Sequence, residues 1–386
     1  MENFKLQEHG ESLKVKFIRN VANLSELAEQ WLQQEVIAVD TEFDRTNTYF
    51  HNLALIQLYD GNKVYLIDPL ELQDLSPLKA VFASKTLIKT LHSCSEDLEA
   101  LFNSYQFSFN SVFDTQIAAS FAGFGLTLGY SNLVDITQGL TLDKQQTQTD
   151  WLQRPLSQEQ LTYAAQDVQF LLPAYYQLRD KLLIAGHFDF VIQDAQSVFE
   201  AVSCPENFDA YYIRVKGAFK LNAKQLNRLK LIVSWREQLA RLNNIPKTFI
   251  FRDHQLVEIC LKAQPKTSDL LAVGCHRASI RRYGSELLAL IEQADKMPPD
   301  EYPEPIIAFH KLPQAKPIVK QLKQKAAIIA EQESIPAGVL VNNRLLEYYV
   351  SLKLKKPNRP NRFWNKWRKS LLSEAFEATC SELASS

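Results

Sequence analysis

Between residues 14 and 105, apolar runs of strand length alternate with helix-period segments, and this alternation restricts that part of the chain to a mixed α/β sheet covered by helices. KVKFIRN (14–20), VIAVDTEF (36–43), LALIQLYD (53–60), KVYLIDP (63–69) and TLIKTLH (86–92) read as strands. ANLSELAEQWLQQ (22–34) reads as an amphipathic helix, with further helices near 76–83 and from Ser95. Gly61-Asn62 between two strand-like runs predicts a hairpin. From about residue 113 the strand signals fade. A long helix is predicted over 157–185: Ser157 and Gln160 form a capping box, Pro173 kinks it and Gly186 ends it.

Beyond SCPEN (203–207), which marks a domain boundary, the pattern is helical and repeats at an offset of 90 residues. WREQLARLNNIPKTFIFRDHQL (235–256) aligns with KAAIIAEQESIPAGVLVNNRLL (325–346). Ile245-Pro246 falls on Ile335-Pro336, Ala240 on Ala330 and Leu256 on Leu346. A Pro-rich acidic linker, MPPDEYPEP (297–305), separates the copies. The reading is therefore an α/β domain over 1–202 and two helical domains over 205–295 and 306–386, the second ending in a basic segment.

The formal net charge of −1 conceals a partition. Residues 1–200 carry 13 Lys and Arg against 26 Asp and Glu, while residues 201–386 carry 30 against 18. An acidic half concentrates cations and a basic half meets polyanions; two solvated surfaces of differing charge are the alternative. No apolar run approaches the roughly 18 residues of a membrane span, and the N-terminus shows no secretory pattern. The five cysteines are scattered without a C-x-x-C pair, which suits a reducing compartment and argues against disulfides or thiolate zinc. A soluble cytoplasmic protein is expected.

Asp40 and Glu42 end an apolar strand, and period-2 geometry puts both on one face. They either face solvent at the strand end or share a hard divalent cation that offsets their repulsion and desolvation. Asp97 begins a helix after a second strand, where an acid also complements the helix dipole. Tyr163 and Asp167, four residues apart, share a helix face, and Ala164-Ala165 between them permit close approach to the sheet. Asp114 reads as an N-cap, with a place beside the site as its alternative, and His92 and Gln57 as structural strand residues, with substrate contact as theirs.

D-x-E, then D, then Y-x-x-x-D, within VDTEFDRTNTYF, LALIQLYDG, LIDPL, LHSCSEDLEAL and TDWLQRPLSQEQLTYAAQDVQFLLP, resembles the tyrosine-containing branch of the DEDD exonuclease superfamily. Within that branch the chain is similar to the bacterial ribonuclease D family over essentially its whole length. The resemblance implies a ribonuclease-H-like exonuclease domain followed by two all-α HRDC-type domains. It implies a 3′–5′ exoribonuclease that releases 5′-mononucleotides with two Mg²⁺ or Mn²⁺ ions held by Asp40, Glu42, Asp97 and Asp167. Asp40 would bridge the ions and Tyr163 would position the attacking water. RNA with an accessible 3′ end is the implied substrate, through family resemblance tRNA precursors, and no obligate protein partner is inferred. A DNA exonuclease of the same superfamily and a catalytically silent RNA-binding protein are the competing readings.

Trp151 and Arg154 match the family pattern before the last motif; Arg154 either reaches a phosphate or packs its loop. For RNA contacts in the basic half, three clusters stand out: Arg214, Lys216 and Lys220, followed by Lys224, Arg228 and Lys230; Arg281-Arg282; and KLKKPNRPNRFWNKWRK (353–369). The last holds eight basic residues and no acidic ones, with Lys355, Lys356, Arg362 and Arg368 near Trp364 and Trp367. That mixture suits phosphate contacts with stacking on unpaired bases.

Overall fold

The computed structural model describes residues 3–8, 11–72, 74–142, 149–204, 207–307, 309–312, 315–356 and 360–384. In chain order the first half runs β1 (Asn3–Glu8), β2 (Glu11–Ile18), α1 (Val21–Trp31), β3 (Val36–Asp44), β4 (Asn52–Tyr59), β5 (Lys63–Ile67), α2 (Pro77–Ala83), β6 (Ile88–Leu91), α3 (Ser95–Tyr105) and β7 (Val112–Asp114). Helices α4 (Thr115–Phe121), α5 (Tyr130–Gln138), α6 (Gln158–Gln169), α7 (Leu171–Ala185) and α8 (Phe188–Ser203) complete it. The strands form one seven-stranded mixed sheet in the order β1-β2-β5-β4-β3-β6-β7. The β4–β5 hairpin is antiparallel, and Asp60 holds its turn by accepting from the Asn62 and Lys63 amides.

Strand β3 is central because its VIAV run is apolar on both faces, as a doubly covered strand requires. Val36 and Ala38 join a core with Leu55, Val64 and Leu66 beneath α6 and α7. Ile37 and Val39 face the opposite way, into a core with Ile56, Leu58 and residues of α1, α2 and α3. Helix α6 approaches closely because Ala164 and Ala165 are fully buried against the sheet.

One helix and two strands differ from the sequence reading. The helix expected over 157–185 is two helices, broken at Phe170 rather than kinked at Pro173. Proline has no N–H for the carbonyl four residues earlier and its ring clashes there, so the break falls near Gln169 and Pro173 occupies the first turn of α7. Strands β1 and β7 were not foreseen: both lie at sheet edges, and β7 has 3 residues, too few for a period.

The second half is helical: two 3₁₀ segments (Phe208–Arg214 and Ala218–Lys220), then α9 (Ala223–Leu242), α10 (Lys247–Ile250), α11 (Asp253–Cys260), α12 (Thr267–Ala272) and α13 (Arg277–Lys296). After the Pro-rich linker come α14 (Ala315–Gln332), α15 (Ala337–Leu340), α16 (Asn343–Lys353) and α17 (Lys366–Ala384). The repeat is visible in the backbone: α15 and the start of α16 reproduce α10 and the start of α11 at the offset of 90. Asn244 and Ser334, each just before the Ile-Pro pair, are both left-handed, with φ of 47° and 54°. The copies bury their apolar faces differently. The first has its own core around Leu226, Leu229, Ile232 and Leu287. The second shares a continuous core with the α6–α7 side of the sheet. No helix among the described residues is long and apolar enough to cross a membrane.

Candidate active site

Asp40 and Glu42 leave β3 on the face that meets α6, and Asp40 stands opposite Gln57 in the β3–β4 register. Asp167, one helical turn after Tyr163 on α6, reaches the same point. One carboxylate oxygen from each of Asp40, Glu42 and Asp167 lies within 4.8 Å of the others. Desolvation is the largest influence on all three, and mutual repulsion adds to it. Asp40 and Glu42 are held well above the usual carboxylate range, and Asp167 is pushed up to about 7. The Tyr163 phenol donates to Asp167, while burial and the neighbouring carboxylates hold its own proton on tightly.

Asp97, in the first turn of α3, arrives from the other side of the sheet. Thr41 alternates away from Asp40 and Glu42, and its hydroxyl donates to Asp97 Oδ1 at 2.5 Å. Asp97 is therefore adjacent to the trio rather than within it, yet its charge is felt by Asp40, Glu42 and Asp167. Its carboxyl is pushed up to about 6, chiefly by burial. Four desolvated carboxylates with no ion-pair partner among the described residues, offering only oxygen donors, match what a hard divalent cation needs. The site fits a metal on this chain's own chemistry.

A cleft of about 470 Å³ opens beside Glu42, lined also by Arg45, Thr46 and Trp151. Trp151 is buried, with its ring 6.0 Å from that of Tyr163. Asp114 caps α4, accepting from the Gln116 and Ile117 amides, and also takes those of Ser93 and Cys94 at the start of α3. His92 bonds Thr115. Gln57 is fully buried opposite Asp40, with no hydrogen-bond partner for its amide among the described residues.

The proposed RNA-contacting residues divide sharply. Arg214, Lys216, Lys220, Arg281 and Arg282 are exposed on the first helical unit, and Lys355 and Arg362 are exposed on the second, with Lys356 half-buried. Arg154 packs its loop instead of reaching outward. Its guanidinium grips Asp68 through Nε and Nη2 at 2.5 and 2.9 Å and donates to the carbonyls of Ala54, Trp151 and Gln153. Arg228 likewise is buried on Asp295 and three carbonyls. Trp367 and Arg368 are corrected from base and phosphate contacts to core residues, 2% and 4% exposed. The Trp367 ring stacks on Phe190 and its Nε1 donates to Asp194, which also pairs with Arg368 at 2.6 Å. Trp364 is half-buried with one face stacked on Phe376. Residues 357–359 of the basic segment lie outside the described residues.

Sequence reasoning passed over Arg45 and Thr41. A signal for Arg45 existed, since it is the sole Lys or Arg between Arg19 and Lys63.

A family model described as a 3′-5′ exonuclease matches residues 15–183, and one for the HRDC domain matches residues 225–291. Ribonuclease D of Shewanella sp. is 35% identical over 352 residues, 91% of this chain and 90% of that protein. Ribonuclease D of Escherichia coli is 34% identical over 357 residues, 91% of this chain and 94% of that protein. The crystal structure of Escherichia coli RNase D, described as an exoribonuclease involved in structured RNA processing, aligns with a TM-score of 0.89 at 32% identity. It covers 95% of this chain and 99% of that one.

Proposed function

Because this chain belongs to the ribonuclease D family, whose 3′–5′ exonuclease and HRDC domains it carries, we propose that it trims the 3′ ends of tRNA precursors in the cytoplasm, releasing 5′-mononucleotides. The observation that supports this reading is the convergence of Asp40, Glu42 and Asp167, with Tyr163 bonded to Asp167. The chain divides, on the same reading, into an exonuclease domain (1–202) and two HRDC-type domains (205–295 and 306–386). In the second, the left-handed residue, Ile-Pro pair and short helix recur at their offset positions.

Divalent ions are required by the carboxylate set, and two Mg²⁺ or Mn²⁺ would be held by Asp40, Glu42 and Asp167, with Asp97 behind them. When bound, such ions lower the pKa of a water nucleophile and stabilise charge on the departing 3′ oxygen. The residues have distinct tasks. Asp40 and Glu42 are fixed in direction by the rigid central strand, and Asp167 by a helix that packs tightly on it. Thr41 orients Asp97. Tyr163 keeps its proton, donated to Asp167, at physiological pH, so its oxygen aligns the attacking water by accepting a hydrogen bond from it and does not act as a base. Trp151 walls the cleft against bulk solvent beside it. The exposed cations of the helical units would contact RNA backbone phosphates, a sequence-independent attraction.

The test is a time course on 5′-labelled RNA with an unpaired 3′ tail in Mg²⁺ or Mn²⁺, beside matched DNA. Wild type is expected to give a shortening ladder on RNA. Asp40→Asn should abolish it, and Tyr163→Phe should slow it by roughly 10²-fold, the scale of a lost positioning group. Wild-type activity retained by Asp40→Asn would refute the assigned site, and preferential loss of DNA would refute the substrate class.

A further inference from the structure

The loop that follows Glu42 is held from outside its own domain. Asn244, between α9 and α10, accepts through Oδ1 from the backbone amides of Tyr49 and Phe50 at 3.1 and 3.0 Å. The Tyr49 hydroxyl donates to Glu237 and accepts from Arg241 Nε, both at 3.2 Å, and the Arg241 guanidinium lies 5.0 Å from the Tyr49 ring centre. Tyr49 in turn fixes Arg45, whose Nε donates to the Tyr49 carbonyl at 2.9 Å. A second guanidinium nitrogen meets His51 Nε2 at 3.2 Å, and the third stands 3.5 Å from Glu99. His51 is buried, and its pKa is lowered to about 4, so it is a neutral partner for the arginine.

Arg45 lines the catalytic cleft beside Glu42, the one cation among the described residues that do so, and its side chain is 37% exposed. A polyanion entering a cleft floored by carboxylates is repelled unless a cation meets its backbone, and a guanidinium matches a phosphate with paired N–H groups. The chain of contacts from Asn244 through Tyr49 to Arg45 gives that cation a fixed position. The left-handed conformation that the repeat imposes before its Ile-Pro pair suits asparagine, and the first copy uses that asparagine to reach the loop.

We propose that Arg45 contacts a phosphate of RNA in the catalytic cleft and that Asn244 of the first helical unit is its positioning residue. This rests on the exoribonuclease reading above. The helical unit would thereby act on substrates too short to touch its own basic surface.

Steady-state kinetics of the full-length protein with Mg²⁺ and a single-stranded RNA of about six nucleotides tests it, a length chosen to confine contacts to the cleft. Arg45→Gln and Asn244→Ala should each raise KM about tenfold while kcat stays within about twofold, the signature of lost uniform binding. Asn244→Asp, whose carboxylate accepts the same two amides, should restore KM. The double variant Arg45→Gln/Asn244→Ala should be no worse than Arg45→Gln, because both changes remove one interaction. Hydrogen exchange at the Tyr49 and Phe50 amides should quicken in Asn244→Ala and slow again in Asn244→Asp. An unchanged KM in Asn244→Ala, failed rescue by Asp, or full additivity of the two changes would overturn the proposal. Wild type leaving the RNA intact would defeat the exoribonuclease reading itself and take the phosphate role of Arg45 with it.

Discussion

Buried carboxylates as close as Asp40, Glu42 and Asp167 trade stability for chemistry, and the sign of that trade can be measured. Asp167 is pushed to about 7 and Asp97 to about 6, against roughly 4 for an unfolded aspartate. The folded protein therefore binds more protons than the unfolded chain across that window. Stability from these groups is fully present below about pH 4 and lost as the pH rises through 6 to 7. In the absence of divalent metal, Asp167→Asn should be more stable than wild type at pH 8 by roughly 1–3 kcal/mol, and the gap should close by pH 4. Urea midpoints at the two pH values with a chelator check this; a pH-independent difference would mean that neither burial nor repulsion raises the Asp167 carboxyl in the folded protein. At this scale the acids and Tyr163 were legible because spacing alone puts them on shared faces. Thr41 and Asn244 were not, since their roles depend on partners that no local pattern announces, 195 residues away for Asn244 and Tyr49, and Arg45 stood out only as the lone cation between Arg19 and Lys63. Trp367 and Arg368 were misread for the same reason. A basic aromatic stretch looks alike whether it faces water or, as here, a buried carboxylate on a distant helix.

Elements were read more reliably where periodicity had length to act on. Helix α1 and strands β3, β4 and β5 fall within a few residues of their predicted spans, whereas the α6–α7 break and the short edge strands turned on single residues and on pairing. Asp114 shows how one side chain ties elements together. Its Oδ1 accepts from the Gln116 and Ile117 amides that open α4 and from Ser93, and its Oδ2 accepts from Cys94 just before α3. Asp114→Ala should cost about 2–4 kcal/mol, a lost cap plus buried amides left unpaired. Asp114→Asn keeps Oδ1 and loses one acceptor, so it should cost about 1 kcal/mol. Because α3 delivers Asp97, the alanine variant should also lose activity beyond what its unfolded fraction explains. Chemical denaturation alongside the RNA time course separates the two effects. Equal stability of the Ala and Asn variants would show that the shared acceptor, Oδ1, contributes nothing.

The whole molecule is joined at two unlike seams. The first helical unit keeps its own core and meets the exonuclease domain through the Tyr49 contacts, whereas the second merges its core with one face of the sheet. The polar centre of that second seam is Asp194 on α8, 2% exposed. Its Oδ1 accepts from Asn365, Trp367 and Arg368 at 2.7, 2.8 and 2.6 Å, and its Oδ2 takes a second guanidinium bond at 2.9 Å. Arg368 extends the tie to the Val339 and Leu340 carbonyls at the end of α15. Removing the carboxylate leaves a guanidinium buried without its counter-charge, which costs about 3–5 kcal/mol, whereas replacing both charges with apolar groups is close to neutral. Asp194→Ala should therefore split thermal unfolding into an early step for the second helical unit and a later one for the rest, with earlier proteolytic cleavage in the linker over 297–305. Asp194→Leu with Arg368→Met should restore one cooperative transition. If Asp194→Ala alone melts as wild type does, the apolar core holds the seam and the ion pair is incidental. If the double variant melts as early as the single, the carboxylate acts through Asn365 and Trp367 rather than through the charge of Arg368.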